Sequence, residues 1–443
     1  MSEKKFCVKV YGCQMNVYDA DRVRTVLCSR GWEEVSEEEA DLIMITGCSV
    51  RAKAEQKVWS EMGLYEPSWL KNQKPMVALT GCIAQRLGKK ALNRFPYVRL
   101  VAGPRHIGLL PDAIEQVVNH PKTRINLLDT DPREFHSLDF DSDNITIKRE
   151  NKFKAYVTIA HGCDNFCTYC IVPYVRGRFV SRKPDEIFSE IEMLIKDGVK
   201  EITLLGQNVN SYGKDINLNF AWLLKNVAQM DGLKRVRFVT SLPQDFTSET
   251  VDVMASEKTV CPSLNLPIQS GSDRILKLMN RKYTRAEYFE KIKMTREKIP
   301  MLGLTTDLIV GFPGETEEDF QDSMSALSEI KFDLVHSAAY SEREGTPAAT
   351  MEGALPAEVR LARLTKLNEL QDKITLDINK NLVGEEFEIL VDAPAPKGKN
   401  LLQGRTPSDK VVIFEGSKKL LGEFVKVKIT DAEAWCLHGE ILS

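Results

Sequence analysis

GCDNFCTYC, residues 162–170, sets three cysteines within nine positions at the spacing C-x3-C-x2-C. The stretch follows KAYVTIA (154–160), an apolar run that reads as a strand. It therefore sits where a strand gives way to a loop, and in α/β barrels that edge carries the chemistry. Working downstream, EITLLG (201–206), RVRFVTS (235–241), SLNLPIQ (263–269), GLTTDLIVG (303–311) and FDLVHSAAYS (332–341) read as further strands. Helical patterns such as PDEIFSEIEMLIKDG (184–198) and ETEEDFQDSMSALSEI (315–330) lie between them. Six strand–helix units predict a partial (β/α)6 barrel over residues 151–378.

Upstream, FCVKVYG (6–12), DLIMITG (41–47), MVALTG (76–81) and VRLVAG (98–103) read as strands. DADRVRTVLCSRG between the first two carries Val23, Val26 and Leu27 at helical spacing, with Gly31 as a stop. Residues 1–126 are expected to form an open parallel α/β sheet domain. The acidic, aperiodic LLDTDPREFHSLDFDSDN (127–144) marks a linker over 127–150. Residues 356–384 read as one long amphipathic helix, and the remainder as short alternating strands. A small antiparallel, OB-like β-barrel is expected over 379–443.

The length of 443 residues exceeds a single core and asks for two or three domains. The start MSEKKFCVKV lacks an apolar h-region, and no apolar run approaches 18 residues, so a cytoplasmic protein with no membrane association is expected. Ten cysteines in a reducing compartment are poor candidates for disulfides. A net charge of −3 does not announce a nucleic-acid binder, so any RNA contact must come from local patches.

Gly-Cys occurs four times, at 12–13, 47–48, 81–82 and 162–163, each time after an expected strand. Strand ends of an open parallel sheet share one edge. Cys13, Cys48 and Cys82 should therefore converge into a second set of three. Cys7, Cys28, Cys261 and Cys436 have no such company and are assigned to packing. Zinc would want a fourth ligand beside Cys163, Cys167 and Cys170, and His161 is expected to point away. Thiolates suit iron–sulfur clusters. Three of them on a 4Fe–4S cluster leave one iron open to chelate the amino and carboxylate groups of S-adenosylmethionine.

On YGCQMN (11–16), GCIAQR (81–86), GCDNFCTYCIVPYVRGR (162–178), LLGQNVNSYG (204–213), LPIQSGSDRILKLMNRKYT (266–284) and TDLIVGFPGETEEDF (306–320), the chain resembles the radical S-adenosylmethionine methylthiotransferases along essentially its whole length. The resemblance implies an N-terminal methylthiotransferase domain, a central radical domain and a C-terminal TRAM barrel. It implies that Cys163, Cys167 and Cys170 hold the catalytic cluster and that Cys13, Cys48 and Cys82 hold an auxiliary 4Fe–4S cluster carrying the transferred sulfur. Two S-adenosylmethionine molecules would be used, one as methyl donor and one as radical source. The YGCQMN and IVPYVRGR segments look like the branch that adds a methylthio group to carbon 2 of N6-isopentenyladenosine at tRNA position 37. Tyr169, Gln207, Asn208, Ser241, Gln269, Asp307 and Glu315 are implied as S-adenosylmethionine contacts. The anticodon stem-loop is the implied partner, with a reductant protein and an iron–sulfur carrier.

Arg176, Arg178, Arg182, Arg281 and Lys282 follow the radical loop or a later strand-to-helix turn and are candidate phosphate contacts. The terminal region 384–443 holds 8 Lys and Arg against 10 Asp and Glu, a net of −2, so its charge does not argue for RNA. There are three departures from the family pattern: Thr46-Gly47 where Asn-Thr is usual, Phe179 where Glu is usual, and Glu344 where Pro is usual. Sister enzymes acting on threonylcarbamoyladenosine of tRNA or on an aspartate of a ribosomal protein are the alternatives. A non-catalytic two-cluster electron carrier would instead bury fully ligated clusters.

Overall fold

The computed structural model describes residues 4–49, 52–128, 136, 138, 147–398 and 400–442. Most of the expected 127–150 linker lies outside the described residues. The chain divides into two compact units. The first comprises 1–150, 156–165 and 170–197, and the second 151–155, 166–169 and 198–443.

The first unit is built on a six-stranded parallel sheet. The four expected strands are Lys5–Tyr11, Leu42–Gly47, Met76–Thr80 and Val98–Ala102, paired in chain order. Two short strands flank them, Glu33–Glu34 and Ile125–Leu127. Neither is among the expected strands, because two or three residues carry no periodicity. The central strands Leu42–Gly47 and Met76–Thr80 are buried at every position. Their near-continuous apolar runs fit strands covered on both faces. One face packs Phe6, Val23, Leu27, Leu100 and Ile114, and the other packs Ile43, Val58, Leu79, Ile83 and Tyr97.

In the second unit, Glu201–Leu205 pairs in parallel with Arg235–Val239. Gly303–Val310 lies between Ser263–Asn265 and Leu334–Ala339, again in parallel. A single bridge, Val236 to Val260, leads from one group toward the other. Two of the helices start on complete capping boxes, Thr284 with Glu287 and Thr316 with Asp319. The long helix spans Ala357–Lys380, four residues short of the expected end.

Residues 386–441 close into a five-stranded barrel. One pair departs from the expected antiparallel order: Val411–Glu415 runs parallel to Leu437–Ile441, which closes the barrel. Buried charge ties this barrel to the strands before it. Arg237 donates to the carbonyls of Pro407 and Thr406, both at 2.8 Å, and lies 3.2 Å from the Glu201 carboxylate. Lys154 bridges Glu201 at 3.5 Å and Asp392 at 2.9 Å. Burial opposes charge on Glu201, but Arg237, Lys154 and Arg235 hold its carboxyl below the usual range.

Candidate active site

In the first unit the sheet register sets Tyr11 opposite Gly47 and Thr46 opposite Thr80. Cys13, Cys48 and Cys82 follow these strands directly and come to one edge. The Cys48 amide donates to the Tyr11 carbonyl at 2.8 Å, and helices begin at Gln14 and at Cys82. Gly47 is closely packed by side chains. A Cβ on it would lie 2.8 Å from Cγ2 of Ile83 and 3.0 Å from Val58.

The Cys13 thiol is drawn well below its usual range. A hydrogen bond from Cys48 is the largest cause, and the Arg176 charge and the Asn16 and Met15 amides add to it against burial. Cys82 is pushed up by burial, which outweighs Arg176. Arg176 is itself buried. It donates from Nε to the Cys82 sulfur at 3.1 Å and from Nη2 to Asn16 Oδ1 at 3.2 Å, and it pairs with Asp19 at 3.5 Å. Burial raises Asp19 to about 6 even so. Nδ2 of the fully buried Asn16 has no partner among the described residues.

The 162–170 segment contributes to both units. In the first, Gly162 has φ +70°, and a Cβ on it would lie 2.0 Å from the Arg178 carbonyl oxygen. Only glycine fits there, because the backbone is left-handed and the obstacle is another backbone. The Cys163 amide donates to Gly177 at 3.2 Å, and Asn165 Nδ2 donates to the Cys163 sulfur at 3.2 Å. His161 is buried, and desolvation with the nearby arginines holds it neutral. In the second unit Arg281 donates to the Cys167 sulfur at 3.4 Å, to Tyr283 at 2.9 Å and to the Pro267 carbonyl at 3.0 Å.

The expected S-adenosylmethionine residues all belong to the second unit. Tyr169 packs against Ile275, Met279, Phe312 and Tyr340. Gln207 and Asn208 follow the strand ending at Leu205. Asn208 donates to Ser211 at 2.7 Å and to Asp245 at 2.6 Å, while its Oδ1 has no partner among the described residues. Ser241 Oγ and Gln269 Oε1 are likewise buried without partners among the described residues. Asp307 accepts from Asn265 at 3.2 Å. Glu315 is occupied differently. Its Oε2 accepts from the Gly311 amide at 2.7 Å and from Arg363 at 2.6 Å, which braces the turn, and its Oε1 has no partner among the described residues.

The candidate phosphate contacts separate by burial. Arg176 and Arg281 turn inward onto the sulfurs of Cys82 and Cys167. Arg182 donates inward to Thr158, Glu190 and Tyr18. Arg176 and Arg281 are buried and Arg182 is half-buried with its donors on inner acceptors, so none of the three presents the surface guanidinium expected of it. Arg178 and Lys282 are exposed; Arg178 pairs with Asp164 at 2.7 Å. The inward arginines escaped the sequence reading because a basic cluster says nothing about which side chains are buried.

The donor chemistry fits iron–sulfur ligation: Cys13, Cys48 and Cys82 share one edge, and N–H donors reach the Cys82, Cys163 and Cys167 sulfurs. Orphaned buried oxygens on Asn208, Ser241 and Gln269 fit a polar cofactor.

Three families match the chain. These are the Radical SAM superfamily at residues 157–327, the Uncharacterized protein family UPF0004 at 5–103 and the TRAM domain at 380–442. The chain is 44% identical over 446 residues to tRNA-2-methylthio-N(6)-dimethylallyladenosine synthase of Moorella thermoacetica, covering 100% of this chain and 99% of the relative. It is 43% identical to the protein of that name from Carboxydothermus hydrogenoformans and 44% identical to that of Thermodesulfovibrio yellowstonii, with full coverage of both chains in each case. Among solved structures, the radical S-adenosylmethionine methyltransferase TsrM of Kitasatospora setae, with cobalamin and a [4Fe-4S] cluster bound, aligns with a TM-score of 0.57 at 15% identity. It covers 79% of this chain and 74% of that one, a likeness of fold.

Proposed function

The chain belongs to the tRNA-2-methylthio-N(6)-dimethylallyladenosine synthases of the radical S-adenosylmethionine superfamily, and from that premise we infer that it adds a methylthio group to carbon 2 of N6-dimethylallyladenosine at tRNA position 37. The observation that carries this reading is identity above 40% to such synthases from end to end, across all three matched regions. Two 4Fe–4S clusters and S-adenosylmethionine, when bound, supply the electron, the methyl group, the sulfur and the hydrogen-abstracting radical.

The chain's own residues do the holding and the tuning. We assign Cys163, Cys167 and Cys170 to the catalytic cluster and Cys13, Cys48 and Cys82 to the auxiliary one. Arg281 and Arg176 each present N–H donors and a positive charge to one cysteine of a set. Asn208, Ser241 and Gln269 offer acceptors to S-adenosylmethionine, with Tyr169, Gln207 and Asp307 beside the same strand ends. Glu315 serves the site through the Gly311 turn. Arg178 and Lys282 are the phosphate contacts we retain for the anticodon stem-loop. A reductant protein and an iron–sulfur carrier complete the partners. Among the described residues no helix is long and apolar enough to cross a membrane, and action in the cytoplasm follows from a tRNA substrate. We take the domain limits as 1–126, 127–150, 151–378 and 379–443.

The deciding assay uses anaerobically reconstituted protein with reductant and S-adenosylmethionine. Anticodon stem-loops carrying dimethylallyladenosine or threonylcarbamoyladenosine are offered separately, digested and read by mass spectrometry. A methylthio increment on the dimethylallyl nucleoside alone is the expected result. An increment only on the threonylcarbamoyl substrate moves the enzyme to a sister group.

A further inference from the structure

The terminal barrel carries a constellation that the methylthiolation chemistry does not use. Strand Phe424–Ala432 runs antiparallel to Leu437–Ile441, with Ala432 opposite Leu437 and Asp431 opposite His438. The turn between them closes through the Glu433 amide, which donates to the Cys436 carbonyl at 2.9 Å. Side chains alternate along a strand. Leu437 is wholly buried in the barrel, so Cys436 and His438 share the opposite face, and the turn sets Glu433 beside them.

The ligand atoms converge. His438 Nε2 lies 3.3 Å from Glu433 Oε1 and 3.7 Å from the Cys436 sulfur, and that sulfur lies 3.9 Å from Glu433 Oε2. One ligand atom from each residue falls within 4.8 Å of the other two. Around a tetrahedral zinc ion, with bonds of about 2.0–2.3 Å, neighbouring S, N and O ligands stand roughly 3.4–3.6 Å apart. The separations at the Cys436 sulfur, 3.7 Å to His438 and 3.9 Å to Glu433 Oε2, lie slightly beyond those values. They are long for good hydrogen bonds to a thiol.

The backbone is held independently of any ion. Asn379 at the end of the long helix donates to the Glu433 carbonyl at 2.8 Å and the Ala434 carbonyl at 3.3 Å. Lys410 in turn donates to Asn379 at 2.9 Å. The side chains remain accessible, with Glu433 at 66% and His438 at 37% exposure.

We propose that Glu433, Cys436 and His438 form a three-ligand site for a borderline-soft divalent cation of the zinc type, with its fourth position open to solvent. The mixed thiolate, imidazole and carboxylate set disfavours magnesium and calcium, which want oxygen alone. An ion there pins the last strand to the turn beside the exposed Trp435. It also adds positive charge to a region whose own balance is −2.

The test uses the full-length chain with both clusters reconstituted, so that the six cluster cysteines are occupied, and dialyses it anaerobically against zinc chloride. About one zinc per chain is expected by elemental analysis. Alkylation of the Cys436 peptide by iodoacetamide should slow by ~10-fold or more with zinc present. Cys436→Ala and His438→Ala should each lose that zinc while iron content stays at the wild-type level. Glu433→Gln should bind it more weakly. Unchanged alkylation of Cys436, or full zinc retention in His438→Ala, overturns the proposal. The alkylation arm needs no variant and decides the matter even where a substitution fails to fold.

Discussion

Two sets of three cysteines are assembled in opposite ways. Cys13, Cys48 and Cys82 come from three strand ends, and a sheet register puts them on one edge. Cys163, Cys167 and Cys170 come from nine consecutive residues, and a loop presents them. Each set nonetheless receives a buried arginine, Arg176 onto Cys82 and Arg281 onto Cys167. The arginines differ in company. Arg176 pairs with Asp19, whereas the donors of Arg281 go to a phenol oxygen, a carbonyl and the sulfur. A sheet-built site can absorb local change through its side chains. A loop-built site rests on backbone, which has nowhere to go.

The largest effect comes from removing ligands. Cys167→Ala is expected to abolish both formation of 5′-deoxyadenosine and methylthiolation. Cys82→Ala is expected to abolish methylthiolation alone and to leave S-adenosylmethionine cleavage measurable by chromatography. Loss of cleavage in Cys82→Ala as well would end the idea that the two sets act separately.

Next come the arginines. Arg281→Met should slow S-adenosylmethionine cleavage by roughly 10–100-fold, the usual range for partners of metal ligands. Arg176→Met should lower methylthiolation by a similar factor with cleavage retained. Equal loss of cleavage in both variants would mean that the arginines serve folding rather than their own cysteine.

The smallest and sharpest contrast lies in the glycines before the cysteines. Gly162→Ala forces a left-handed residue against the Arg178 carbonyl and should cost about 2–3 kcal/mol, with loss of iron from the loop cluster. Gly47→Ala meets only the Ile83 and Val58 side chains and should cost about 1 kcal/mol. Thermal denaturation and iron content of the two variants, measured side by side, would show whether backbone or side chain limits each site.

Much of this architecture was legible in the sequence. All ten expected strands of the two α/β regions appear, most ending within two residues of their expected limits, because long apolar runs bounded by glycine leave few alternatives. Glu33–Glu34 and Ile125–Leu127 were not legible, being too short to carry a pattern. The parallel pair that closes the terminal barrel was hidden too, since alternation marks a strand without naming its partner. In the site, spacing and recurrence singled out six cysteines. Nothing in VRGRFVSRK or RILKLMNRKYTR distinguished inward Arg176, Arg182 and Arg281 from exposed Arg178 and Lys282.

By itself, then, the sequence determined the order of the elements, the two cysteine sets and the family. Those depend on local periodicity and on residues close in number. Tertiary structure alone decided which charges are buried and what they face. It set Arg237 against Glu201 and the carbonyls of Thr406 and Pro407, nearly 170 residues away in the second case. It also drew Glu433, Cys436 and His438 within ligand distance of one another. The physical reason is the same throughout: burial and convergence are properties of packed surfaces, and a side chain's partner is chosen by the fold rather than by its neighbours in the chain.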